Sequence, residues 1–248
     1  MAMSPVRPRP FHYAVRGGWL ALLAAGVLGS CAGRVELTPR RDGTHGPVPG
    51  GRVRADSVAY AAAERDAFQI AVVAGGLSLV GRTELVVDGV RFPMDCTGVV
   101  RAAYAFGGMD LAFRFASYRG NGVRRLYLTL RDEDLLYSSR HPAPGDLVFW
   151  DHTYDANGNL SADDELTHVG MVVGMDPDGT IAYLHHNYRR GPVVERMNLA
   201  RPDQQFLIAK GVSRRINYPI RLRGSPPGPG TTAAELFRVF GAAYRLPR

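Results

Sequence analysis

Cysteine and lysine are nearly absent from this chain, and it has no hydrophobic run long enough to stay in a bilayer as a spanning helix. Cysteine occurs only at Cys31 and Cys96, which excludes a scaffold stapled by several disulfides. Lys210 is the sole lysine among 30 basic residues, which against 23 acids leave a net charge of +7. That charge is arginine spread along the chain rather than gathered in a stripe, so nucleic acid is not an expected partner. A disordered chain, a collagen-like repeat and a multi-span membrane protein are excluded by 46% hydrophobic and 21% charged residues at a mean hydropathy of -0.12. No internal repeat is visible. What remains across 248 residues is apolar mass for one core, a domain of roughly 150 to 190 residues with appendages.

The amino terminus has a three-part layout. Arg7, Arg9 and Arg16 precede an apolar run from Trp19 to Gly29, and small residues precede Cys31. This order predicts a signal peptide over residues 1–30, because the run is about half the ~20 residues a lasting membrane helix needs. Its removal takes away three arginines and no acids, lowering the net charge from +7 to +4. Leu28-Gly29-Ser30-Cys31 resembles the bacterial lipobox, which implies that Cys31 is acylated and becomes the new amino terminus. The mature protein is then expected to be exported and anchored to a bacterial membrane, facing the cell wall or periplasm. Residues 31–55, rich in glycine, proline and arginine without a hydrophobic period, read as a flexible tether.

With Cys31 acylated, Cys96 has no partner, and an unpaired thiol outside the cytoplasm needs either burial or a chemical use. Its surroundings favour use. Asp95-Cys96-Thr97-Gly98 is followed by Val99, Val100, Ala103 and Tyr104 at helical spacing, so Cys96 opens a helix. There it faces unpaired backbone N–H groups and the positive end of the helix dipole, both of which favour the thiolate.

Around this helix the pattern is legible in outline. A helix is expected from Asp56 or Ser57 to about Ala74, stopped by Gly75-Gly76, then a hairpin at Glu84 to Phe92 turning on Asp88-Gly89. Val123, Leu126, Tyr127 and Leu130 mark another helix. Gly145 to Trp150, Thr167 to Gly174, Thr180 to Asn187 and Val193 to Leu199 read as strands whose short connections make the sheet antiparallel. The domain is expected over residues 56–223. Beyond it, residues 224–248 hold a Pro/Gly linker and an amphipathic helix carrying Leu236, Phe237, Val239 and Phe240.

A nucleophilic cysteine requires a proton acceptor, usually a histidine oriented by a third polar group. His168 begins one strand, and His185, His186 and Asn187 end the next. A four-residue turn at Asp176-Pro177-Asp178-Gly179 makes Met175 face Thr180 and His168 face Asn187. His185 then shares a face with His168, diagonally adjacent, while His186 points away. A two-residue turn keeps this parity, whereas a turn of three or five residues brings His186 beside His168 instead. His185 is preferred as the orienting group, then Asn187, then His186.

In this order DCTGVV at 95–100, PGDLVFW at 144–150, THVGMVVG at 167–174 and YLHH at 183–186 resemble the NlpC/p60-type cell-wall peptidases and their CHAP amidase relatives in the papain-like superfamily. The resemblance spans roughly Ala59 to Leu199. It implies an α+β, papain-like fold with the nucleophile at the start of a helix packed on an antiparallel sheet. It also implies Cys96 as nucleophile, His168 as general base, His185 as the orienting residue, and Asp95 and Thr97 as substrate contacts. The activity implied is a cysteine-dependent peptidoglycan amidohydrolase or endopeptidase working through a thioester, without a cofactor, on wall peptides. The family's Pro-Tyr-aromatic-Gly-Gly stretch before the cysteine is replaced here by Leu85 to Met94, so its usual tyrosine contact to the peptide is missing. A thiol acyltransferase on the same scaffold and a non-catalytic wall-binding lipoprotein are the alternatives, and a regulatory protein partner stays open.

Asp155, Asn157, Asn159, Asp163 and Asp164 crowd the segment Asp151 to Glu165. Their register suits a calcium loop poorly: with Gly158 at the sharp turn the first ligand falls on Thr153 and the closing acid is aspartate. The segment reads as a solvated acidic loop, and no metal is expected.

Overall fold

The computed structural model describes residues 55–209, 211–222, 224–225 and 228–247, with only the backbone of 55–66. All of these lie in the second of two compact units, Arg52–Arg248. The signal peptide, Cys31 and all of the tether but Ala55 fall outside the described residues. No helix among the described residues is long and apolar enough to cross a membrane.

The elements run α1 (Ala55–Ser78), β1 (Leu85–Val87), β2 (Val90–Phe92), α2 (Cys96–Ala105), α3 (Gly122–Asp132), β3 (Leu136–Tyr137), β4 (Leu147–Trp150), β5 (His168–Met175), β6 (Ile181–Asn187), β7 (Gly191–Met197), β8 (Phe206–Ala209), β9 (Val212–Arg215) and β10 (Phe237–Gly241). Six strands form one antiparallel sheet in the order β3-β10-β4-β5-β6-β7. One face packs on α1 and α2 through Val99, Val100, Tyr104, Phe149, Met171 and Leu184. The other face buries Val148, Trp150, Tyr183 and Met197 beneath Ala233 to Leu236. The central strand β4 is therefore apolar on both sides, as its unbroken Leu-Val-Phe-Trp run requires. The fold is α+β, with the helix that begins at Cys96 lying on an antiparallel sheet.

The hairpin turns on Asp88 and Gly89 as expected. Both have positive φ (50° and 79°), and Val87 pairs with Val90, the two-residue turn whose twist matches its strands. The PGD motif at 144–146 anchors β4, since the buried Asp146 carboxylate takes the Tyr137 hydroxyl and, at 2.6 Å, the Ala143 amide. Burial pushes that carboxyl up to about 6 even though both bonds, and the charge of Arg245, pull the other way.

Three expectations need correction. Gly75-Gly76 does not stop the first helix, because α1 continues to Ser78. A Cβ on Gly75 would sit 2.3 Å from the Phe106 ring, and one on Gly76 would sit 2.7 Å from Met171 Cε. These glycines serve close packing on α2 and β5 rather than termination.

The amphipathic helix over 233–244 is instead a turn followed by β10, an interior strand of the sheet, so this carboxy-terminal segment is part of the domain fold. The pairing of β10 with β4 is irregular between Phe237 and Val239, and Arg238 there reaches Asp151 at 2.8 Å. The irregularity breaks the period-two alternation, so the apolar residues imitate helical spacing.

The third correction concerns the β5–β6 turn. Met175 pairs with Ile181, which makes the turn five residues, but a shift between Val172 and Gly174 restores Val172 opposite Tyr183 and Met171 opposite Leu184. Two one-residue offsets cancel, and His168 and His185 share a face after all.

Candidate active site

Cys96 is the first residue of α2, and the element before it is built to hold it there. Asp95, extended at φ -142°, caps the helix by accepting from the Gly98 amide at 2.7 Å. A Cβ on Gly98 would lie 1.8 Å from the Pro93 carbonyl oxygen, so only glycine lets the approaching strand come this close. The Val169 amide and the Thr97 hydroxyl and amide hydrogen-bond toward the sulfur. Since Val169 follows His168, this contact brings the start of β5 to the thiol.

His168 is fixed from several sides. Its backbone pairs with Trp150, whose indole lies against its ring at 5.7 Å between centroids. The two residues before it are pinned as well: Leu166 donates its amide to Asp151 Oδ1 at 2.7 Å, and Thr167 donates to the Trp150 carbonyl at 3.0 Å. Leu166 has a φ of 54°, a left-handed conformation that a leucine keeps only where its surroundings impose it.

Beyond His168 runs a line of polar groups through the sheet. His168 Nε2 and His185 Nδ1 are 2.9 Å apart, and His185 Nε2 and Glu195 Oε2 are 3.0 Å apart. His185 and Glu195 are 2% and 1% exposed, and Arg190 binds the other Glu195 oxygen. Burial alone would raise the Glu195 carboxyl, but the hydrogen bond from His185 and the bond and charge of Arg190 outweigh it and hold the group below its ordinary value.

An ionised carboxylate only accepts, so His185 Nε2 carries the proton on that side. His185 Nδ1 then accepts from His168 Nε2–H, and His168 Nδ1 is left as the basic ring atom. Burial, together with the nearby His185 and His186, holds His168 well below the usual 6.5, which keeps it a neutral acceptor.

Cys96, His168 and His185 line one cleft of about 670 Å³ together with Asp95, Tyr154 and His186. Thr97 is not in the cleft wall; its side chain lies against Gly122 at the start of α3. Asn187 lines the cleft as well, but its side-chain oxygen is spent on the amides of Arg189 and Arg190 at 3.0 and 3.3 Å.

Two residues escaped the sequence reading. Glu195 sits opposite Tyr183 on β7, and the signal for it was the strand's single acid at a buried position. Tyr154 comes from the acidic loop; burial raises its hydroxyl, and the neighbouring Cys96, Asp164 and Asp95 raise it further. In that loop the carboxylates meet backbone amides, Asp155 from Gly158 and Leu160, and Asp164 from Ala156.

The thiol itself departs from expectation. Burial, aided by the Asp95 carboxylate, pushes Cys96 up to about 11, because its three hydrogen bonds do not offset the loss of water. The resting pair is a thiol and a neutral imidazole rather than an ion pair. A small alkylating agent should therefore label Cys96 slowly at pH 6, with a rate that climbs as pH rises past that of a free thiol, about 8.5. Full labelling reactivity already reached at pH 7 contradicts this.

No family model and no solved structure matches the chain. A curated relative does: over 136 residues, 55% of this chain, it is 33% identical to the peptidoglycan DL-endopeptidase CwlO of Bacillus licheniformis. The match covers 24% of that protein, so the chain spans about a quarter of the length of the relative.

Proposed function

We propose that this chain is a cysteine-dependent cell-wall hydrolase that cleaves an amide bond of peptidoglycan peptides through a thioester on Cys96. The observation that carries the reading is the hydrogen-bonded line from His168 through His185 to Glu195, ending in the same cleft as a helix-start cysteine. The resemblance to NlpC/p60-type and CHAP enzymes, with its papain-like implication, and the partial similarity to a peptidoglycan endopeptidase name the substrate class.

In the reaction the Cys96 thiol gives its proton to His168 Nδ1 as sulfur attacks the amide carbon. The developing oxyanion meets the amide of Cys96 in the first turn of α2, where no intrahelical acceptor competes. His168 passes the proton to the departing amine as the C–N bond breaks. Water then gives a proton to His168 and attacks the thioester, releasing the acid and returning the thiol. With the thiol protonated at rest, attack and proton transfer are coupled, and the basicity of His168 sets the rate.

Purified sacculi incubated with the wild type should release peptide-bearing fragments, identified by mass, that Cys96→Ala does not release. Equal release by both proteins refutes the proposal. The enzyme would work from a membrane, exported and tethered through acylated Cys31, and the mass of the mature amino terminus tests this. A mature chain starting elsewhere, or lacking acyl mass, removes the anchor.

A further inference from the structure

Next to the catalytic cleft lies a second cavity of about 370 Å³, whose wall includes Arg189, Arg190, Glu195, Arg215 and Tyr218. Asn187, Arg189 and Pro219 line both spaces, so the two are neighbours across a shared wall. Three guanidinium groups meet one carboxylate here, and that carboxylate is already committed. Glu195 Oε1 is bound by Arg190, and Oε2 lies 3.0 Å from His185 Nε2.

Among the described residues no carboxylate forms an ion pair with Arg189 or Arg215, whereas Arg190 is neutralised by Glu195. Arg215 is held by stacking, its guanidinium 4.7 Å from the centre of the Phe206 ring and 5.2 Å from that of Tyr218. Such contacts fix a cation in place without cancelling its charge. Arg189 is placed by its turn, whose amides are gathered by Asn187. The result is a concave cationic seat, built by stacking and a capped turn, adjoining the cleft that Cys96 lines.

We infer that this seat binds a free carboxylate of the substrate peptide and so selects acidic over amidated wall peptides. Guanidinium forks pair with carboxylates in a planar geometry that a carboxamide cannot match in charge. The inference rests on the hydrolase reading above, and its test separates the two.

Two synthetic stem peptides are compared, one with its free side-branch carboxylate and one with the carboxamide there. Wild type should show a kcat/KM about tenfold or more in favour of the carboxylate. In Arg189→Gln and Arg215→Gln, checked for folding by thermal melting, that ratio should collapse toward one. Equal cleavage of both peptides by wild type, or an unchanged ratio in both variants, overturns the inference while leaving the hydrolase standing. Calorimetric titration of both peptides into Cys96→Ala reads the same preference without turnover. A carboxylate preference in binding with no cleavage by wild type retains the seat and refutes the hydrolase; no preference in either measurement refutes the seat.

Discussion

His168→Ala should lower turnover on a wall peptide by at least about 10⁴-fold, with the melting temperature little changed. The size follows from the state of the thiol. Because Cys96 is held up to about 11, almost none of it is thiolate at neutral pH, and without His168 Nδ1 the thiol loses the base that takes its proton in the proposed reaction. A cysteine preformed as thiolate would lose far less. The pH profile carries the sign: burial holds His168 below 6.5, so the acid limb of kcat/KM should lie below pH 6.5, with activity falling only as His168 binds its proton. An acid limb centred above 7 contradicts the assignment.

Glu195→Gln should be the next most damaging change, slowing turnover on the order of 10² to 10³-fold with KM nearly constant. Glutamine keeps the shape but removes the anion that fixes the proton on His185 Nε2. Its amide can donate to that nitrogen instead, which moves the His185 proton to Nδ1. That proton would face His168 Nε2, so the His168 proton shifts to Nδ1, the atom that should accept from Cys96. The effect should pass through His185: His185→Ala is expected to cost at least about tenfold, and His186→Ala to be mild. Although His186 lines the cleft, it has no hydrogen bond to His168 among the described residues. A crippled His186→Ala beside a normal His185→Ala would move the orienting role by one residue.

Much of this site could be read before any coordinates. Cys96 at a helix start follows from the apolar spacing after it, and His168 and His185 from strand parity. Yet the parity came out right through two deviations that cancel, a five-residue turn and the shift between Val172 and Gly174. Neither leaves a mark in sequence, because a bulge is a choice of backbone rather than of residue type. Glu195 was missed because its partner lies on another strand, and pairing across strands sets which acid meets which histidine. The thiol's protonation state was misjudged for a related reason. A helix terminus is local and readable, whereas the burial that overrides it is supplied by distant chain. The carboxy-terminal strand was hidden by the irregularity around Arg238, which made strand residues mimic a helical period.

The central claim, that Cys96 is the nucleophile served by His168, is tested most directly by acid-quenching the enzyme with a synthetic wall peptide and measuring the mass of its Cys96-containing fragment. The account predicts that fragment to carry the acyl half of the peptide, as a thioester released by hydroxylamine, and predicts no such adduct and no cleavage in Cys96→Ala. An acyl group on any other residue, or peptide cleaved by Cys96→Ala at the wild-type rate, would contradict it.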